Sequence, residues 1–149
     1  MRQRILISLV FGLFFLSSCT DTPSKAEEAY RSNLKIVLDG HDQLMKEMST
    51  VATLIQKLDA QKGEQAADTL KINEVENRLK GAHEAMFEWM HAFSGDFEDL
   101  HLNEEEKLTD EQYEDRLRKL KTHQERLTRL DAEFKAGITA AKKVLEHKD

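Results

Sequence analysis

Apolar side chains recur at alternating steps of three and four residues through three long stretches of the chain. Such steps keep one stripe of an α-helix facing a partner helix, so the pattern predicts three long helices. The first stripe runs through Tyr30, Leu34, Val37, His41, Leu44, Met48, Val51, Ile55 and Leu58. The second runs through Ile72, Val75, Leu79, Ala82, Met86, Trp89 and Phe93. The third runs through Tyr113, Leu117, Leu120, His123, Leu127, Leu130, Phe134, Ile138, Ala141 and Leu145.

Capping residues indicate where these helices begin and end. Ser24 is suited to cap the first helix, and Thr109 with Gln112 has the spacing of a capping box. Gly63 stands where the first helix is expected to stop. The expected helices cover about 24–62, 66–93 and 109–147, and an acidic loop covers 94–108.

The connection around Gly63 is short, so the first two helices must run antiparallel. The predicted fold class is therefore all-α. We predict an up-down-up antiparallel three-helix bundle with coiled-coil-like seams over residues 25–149. A second copy of the chain that continues the seam, making a homodimer, is compatible with the same pattern.

The N-terminal segment differs from the rest of the chain. Arg2 and Arg4 precede an apolar run over residues 5–16. A membrane-spanning helix needs about 20 apolar residues, so this run is too short to span a bilayer. A basic stretch followed by a short apolar stretch is typical of a secretory signal peptide, which we place at residues 1–18.

The apolar run ends in Leu16-Ser17-Ser18-Cys19, which resembles the bacterial lipobox. In lipobox proteins the cysteine receives a diacylglycerol on its sulfur, becomes the new N-terminus and usually carries a further acyl chain such as palmitate. We therefore expect Cys19 to be lipidated and residues 19–24 to form a short tether to the membrane. The alternative is an ordinary signal peptide with a chance cysteine. In Gram-negative lipoproteins of the enteric type, an Asp directly after the cysteine favours retention in the inner membrane. Thr20 occupies that position here, so we expect the outer membrane.

Composition excludes several classes of protein. The net charge of −6 argues against a nucleic-acid binder, which needs a basic face. A single cysteine excludes a disulfide framework and a Cys-rich zinc site.

The chain contains segments that begin like catalytic motifs but do not complete them. His83-Glu84 begins like the HExxH zinc motif, but Phe87 stands where the second His is required. We therefore predict that the chain is not an enzyme.

Histidines and methionines nevertheless share the seam of the first two helices. A turn near residue 63 places His41 level with Met86, and Met45 level with His83. Imidazole and thioether are ligands that suit Cu(I), so these four residues form a candidate copper site. Further candidates for the same site are Met48, Met90 and His123. The alternative is that methionine fills core gaps and a seam histidine sets the helix register.

A second candidate site is an apolar surface. Phe87 lies about 100° around the second helix from Met86, and Phe97 and Leu100 follow in the acidic loop. An aromatic shoulder beside an acidic loop is suited to bind a partner protein. The alternative is that the acidic loop folds back and covers Phe87.

Two segments carry a resemblance to a family. His41-Asp42-Gln43-Leu44-Met45-Lys46-Glu47-Met48 has the form H-D-x-x-M-x-x-M, and residues 82–90 have the form A-H-x-x-M-x-x-W-M. Together they resemble a family of small lipoproteins from Gram-negative envelopes, many of them labelled "viral A-type inclusion protein". The resemblance implies a lipoprotein and a helical bundle, and it carries no activity.

The sequence as a whole predicts a lipid-anchored envelope protein. Its helical bundle would act as a non-enzymatic interaction or structural module that binds an envelope protein, with no cofactor. Copper binding through the His/Met cluster is the alternative.

Overall fold

A computed structural model describes residues 22–63, 66–98 and 108–146. The described residues form three helices, α1 (Lys25–Ala60), α2 (Ala66–Asp96) and α3 (Asp110–Glu146), and contain no strand. The predicted all-α three-helix bundle is confirmed. None of these helices carries an apolar run long enough to span a membrane. The predicted signal peptide, Cys19 and most of the predicted acidic loop lie outside the described residues.

Capping side chains define the N-terminal ends of α1 and α3. Ser24 adopts an extended backbone, and its hydroxyl accepts a hydrogen bond of 3.1 Å from the backbone N–H of Glu27. At α3, the hydroxyl of Thr109 accepts from the N–H of Gln112 at 3.3 Å, and the Gln112 side chain accepts from the N–H of Thr109 at 2.8 Å. This reciprocal pair is the predicted capping box, which satisfies two N–H groups that have no partner within the helix.

Two helix ends differ from the predicted ones. Helix α1 ends at Ala60, and Gln61 caps it in a right-handed conformation, so Gly63 does not act as a left-handed cap. Helix α2 continues to Asp96, past the expected stop before Ser94. The next N–H, of Phe97, still donates to the carbonyl of Phe93 at 3.1 Å. Because the side chain of Phe97 is buried, its packing holds the last turn of α2 in place.

Helices α1 and α3 run parallel and make the largest contact of the bundle. Tyr30 near the start of α1 packs on Tyr113 near the start of α3, with ring centroids 5.6 Å apart. Nearly halfway along α1, a Cβ built on Gly40 would lie 3.6 Å from Cδ1 of Leu127, which is in the middle of α3. Both contacts advance in the same direction along the two helices.

Helices α2 and α3 run antiparallel. Leu79 in α2 lies against Gly137 near the end of α3, where an added Cβ would be only 2.8 Å from Cδ2 of the leucine. Trp89, ten residues later in α2, contacts His123, which comes earlier in α3. With α1 and α3 parallel and α2 opposed to α3, the up-down-up order is the observed topology.

Helices α1 and α2 make the smallest contact of the three pairs. Near the turn, the buried carboxylate of Glu76 pairs with Lys62 at 2.5 Å and with Lys80, and Lys62 also pairs with Asp59 at 2.8 Å. These hydrogen bonds, first from Lys62 and then from Lys80, hold the pKa of Glu76 below its ordinary value. The same lysine lowers the pKa of Asp59, and its two carboxylate partners raise the pKa of Lys62.

The core follows the three predicted stripes closely. Every stripe residue is buried except for seven that are partly buried: Leu34, His41, Ile55, Val75, Phe93, Leu117 and Leu145. Five described residues outside the stripes are also buried, namely Glu27, Leu54, Glu76, Phe97 and Gly137.

Candidate functional site

Trp89 is the centre of an aromatic and histidine cluster between the three helices. The indole is buried and stacks on the ring of Phe93, with centroids 5.0 Å apart. The ring of His41 from α1 stacks on it at 5.6 Å, and the ring of His123 from α3 meets it edge-on at 5.6 Å. Its Nε1–H donates to the backbone carbonyl of His123 at 3.1 Å. Trp89 therefore fixes the relative height of all three helices.

His123 is buried at the edge of this cluster. Its Nε2 lies 2.8 Å from Oδ2 of Asp96, the last residue of α2. A carboxylate accepts, so Nε2 donates this hydrogen bond, and in the neutral ring the lone pair is on Nδ1. Nδ1 is buried and has no hydrogen-bond partner in the described part of the chain. Phe93 and Phe97 pack against the ring, with centroids 5.2 Å and 5.9 Å away.

This burial corrects the predicted partner surface. Phe97 was expected in an exposed loop, but its side chain is buried against His123 and against Phe93, 4.8 Å away. Leu100 lies outside the described residues. Of the three residues predicted for that surface, Phe87 is exposed, with 50% of its surface accessible.

The predicted metal residues separate into two groups. Met86 is buried in the core, and so is Met48. His41 is partly exposed, Met45 is 38% exposed and His83 is half-buried. His41 was expected level with Met86, but its ring stacks on Trp89, three residues further along α2. The observed register of α1 against α2 therefore differs from the predicted one by about one helical turn.

The accessible members share one side of the α1–α2 pair. Gln43 of α1 and Ala85 of α2 line grooves that these helices form with α3. Met45 and Phe87 each follow one of these residues by two positions, which is a rotation of about 200° around the helix. Met45 and Phe87 therefore lie on the sides of α1 and α2 that face away from α3. Helical spacing adds four neighbours to this surface. We call it the α1/α2 face, and its residues are Leu38, His41, Met45, His83, Phe87 and Met90.

The α1/α2 face has an unusual composition for a solvent-facing surface. Three of the five exposed large apolar side chains in the described residues belong to it, namely Leu38 at 42%, Met45 and Phe87. The most exposed of the five, Leu70 at 70%, lies elsewhere on α2. Clustering of apolar groups on one exposed patch is typical of a binding surface, whereas single exposed apolar residues are ordinary.

Both histidines of the face are held by neighbours. Nδ1 of His41 lies 3.0 Å from Oδ1 of Asp42, which is well exposed. The ring of His83 meets that of Phe87 edge-on, with centroids 5.0 Å apart.

Glu88 and His91 have the Glu-x-x-His spacing of di-iron helical bundles, and both side chains are exposed on α2. Within the ranges that the structure describes, no three His, Cys, Asp or Glu side chains lie close enough together to hold a metal ion.

Comparison with protein-family models, with curated proteins and with solved structures finds no match to this chain. The assignment of a function consequently rests on the residues and geometry of the molecule itself.

Proposed function

We propose that this protein is a lipid-anchored, non-enzymatic envelope protein whose helical bundle binds a partner protein through the α1/α2 face. One observation carries the docking role. Leu38, Met45 and Phe87 are exposed, and their helical positions place them on the same side of the α1–α2 pair, whereas the other two exposed large apolar residues in the described part of the chain, Ile36 and Leu70, lie on other sides. Water contact with such a patch is unfavourable, and a partner that covers it gains about 25 cal/mol for each Å² of apolar surface removed.

The anchor is supported by sequence. Basic residues, a short apolar run and Leu16-Ser17-Ser18-Cys19 follow one another in the order of a lipoprotein signal. Acyl chains contribute about 0.8 kcal/mol per buried CH₂, so two or three of them would hold the protein on the membrane. Thr20 after the cysteine favours the outer membrane. The bundle begins at Lys25, so its first turn would lie close to the lipid surface.

Site-specific photo-cross-linking in intact cells tests the docking role. A photoreactive phenylalanine analogue at position 87 should give one discrete adduct, either with a partner protein or with a second copy of the chain. The matched control carries the analogue at position 70, which is also apolar and exposed on α2 but outside the face. Leu38→Glu in the position-87 protein should abolish the adduct. The same adduct from both positions, or none from position 87, would contradict the proposal.

Mass spectrometry of the membrane fraction tests the anchor. We expect the mature chain to begin at Cys19 with a diacylglycerol on sulfur, and Cys19→Ser to leave an unprocessed, unlipidated precursor. A mature chain that begins elsewhere without lipid would show an ordinary signal peptide and would leave the docking role unaffected.

A further inference from the structure

His41 is held in the orientation of a metal ligand. Because the carboxylate of Asp42 only accepts, the 3.0 Å contact assigns the proton to Nδ1 and leaves the lone pair of the neutral ring on Nε2. Histidines that bind metals almost always donate their other N–H to a carboxylate, carbonyl or water, which fixes the ring and its tautomer. Stacking on Trp89 restricts the same ring from its face. Two independent contacts therefore orient one free nitrogen donor.

A thioether lies next to this nitrogen donor on the same helix. Met45 follows His41 by four residues, and residues at this spacing have Cβ atoms about 5–6 Å apart. Met45 is 38% exposed, in contrast to the buried Met48 one turn further on. The packing role that explains a core methionine therefore explains Met48 but not Met45.

Helix α2 supplies two further donors at matching height. With His41 stacked on Trp89, the antiparallel register places Met90 within one residue of the His41 level. The same register places Met45 level with Ala85, and His83 is two residues from Ala85 along α2. All four donors are thus within about 10 Å along the helix axes, at 1.5 Å per residue. Met90 and His83 are both partly accessible, whereas Met86 between them is buried.

Two imidazoles and two thioethers are a soft donor set. Thioethers select Cu(I), while carboxylates and water suit Mg²⁺, Ca²⁺ and Mn²⁺. We propose that the α1/α2 face binds one Cu(I) ion through His41, Met45, His83 and Met90. The site goes beyond the docking role, and it replaces the buried Met86 of the sequence prediction with the accessible Met90. Asp42 acts as a positioning residue that holds the His41 ring.

Anaerobic titration of the full-length chain with Cu(I), in competition with a colorimetric Cu(I) chelator, tests the site. Every protein in the series carries Cys19→Ser, so that the one thiol does not compete for copper. We expect one Cu(I) per chain. His41→Ala and His83→Ala should each weaken binding at least 100-fold, and Met45→Leu and Met90→Leu should weaken it too. Asp42→Asn, which keeps every donor, should weaken binding about tenfold.

Two controls separate this site from general surface binding and from misfolding. His91→Ala removes an exposed histidine of α2 that is not one of the four proposed ligands and should leave the affinity unchanged. Met45→Leu changes an exposed side chain of similar shape, so circular dichroism should show an unchanged fold. The proposal is overturned if the parent chain binds no Cu(I), or if binding survives the His41 and His83 substitutions. It is also overturned if Zn(II) binds more tightly than Cu(I). Cross-linking from position 87 in cells without added copper is an independent readout of the docking role.

Discussion

Helix α2 meets α3 and α1 in different ways. Toward α3, Leu79 approaches Gly137 so closely that an added Cβ would lie 2.8 Å from its Cδ2, and the buried indole of Trp89 donates to a backbone carbonyl. Toward α1 the contact is smaller, and Phe87 and Met45 stay exposed beside it. The α3 side of α2 therefore supports the fold, while the α1/α2 face keeps apolar and soft-donor groups accessible.

Two aromatic residues on α2 give the strongest test of this contrast. Trp89→Ala should lower the free energy of unfolding by about 3–5 kcal/mol, because it empties a buried site shared by all three helices. Phe87→Ala, two residues earlier, should change it by less than about 1 kcal/mol, because the ring is half-exposed. Denaturant unfolding of both variants measures the difference. Equal losses would mean that the α1/α2 face is part of the core.

The pH dependence of unfolding tests whether ion pairs stabilise the small contact between α1 and α2. Glu76→Gln should cost about 1–2 kcal/mol at pH 7, since it weakens charge-assisted bonds to Lys62 and Lys80, both of which keep some contact with water. The pKa of Glu76 is lowered in the folded chain, so this stability is fully present above the ordinary value of 4.5. It is lost as the pH falls through the lower folded pKa.

The measurement is the difference in unfolding free energy between the parent chain and Glu76→Gln from pH 7 to pH 3. Glu74→Gln, at an exposed position on the same helix, is the control and should show no such change. A difference that stays constant down to pH 3 would show that the ionised carboxylate of Glu76 does not stabilise the bundle.

Gly81 and Gly137 are helical glycines with different surroundings, and substitutions there should have smaller effects. Alanine is favoured over glycine in a helix by about 1 kcal/mol. Gly81 has no atom within 4 Å of an added Cβ, so Gly81→Ala should stabilise the protein by about 0.5–1 kcal/mol. At Gly137 the side chain of Leu79 must move to admit the methyl group, so Gly137→Ala should be less stable than Gly81→Ala. Thermal unfolding of the pair checks this order, and equal stabilisation would contradict the close approach.

Periodicity was sufficient to predict the fold, because steps of three and four residues determine which side of each helix is buried. It could not predict the end of α2. Ser94 and Gly95 weaken a helix locally, yet the burial of Phe97 and the pairing of Asp96 with His123 extend it. Both effects arise from contacts between helices, and local helix propensity does not include such contacts.

The candidate site was predicted in part for the same reason. Sequence spacing placed His41, Met45 and His83 along one seam, but the height of α2 against α1 depends on how Trp89 packs. A shift of one helical turn exchanges Met86 for Met90 as the neighbour of His41. The contact between His41 and Asp42 joins adjacent residues, so the H-D pair was the available signal for an oriented imidazole.

We infer that the apolar groups of the α1/α2 face contribute little to the stability of the fold. The most direct test is the unfolding free energy of the triple variant Leu38→Gln, Met45→Gln and Phe87→Gln, since glutamine keeps helix propensity close to that of leucine and methionine. We expect the three changes together to cost less than about 2 kcal/mol, below the cost of Trp89→Ala alone. A loss larger than that of Trp89→Ala would show that the face is core, and would contradict its role as a binding surface.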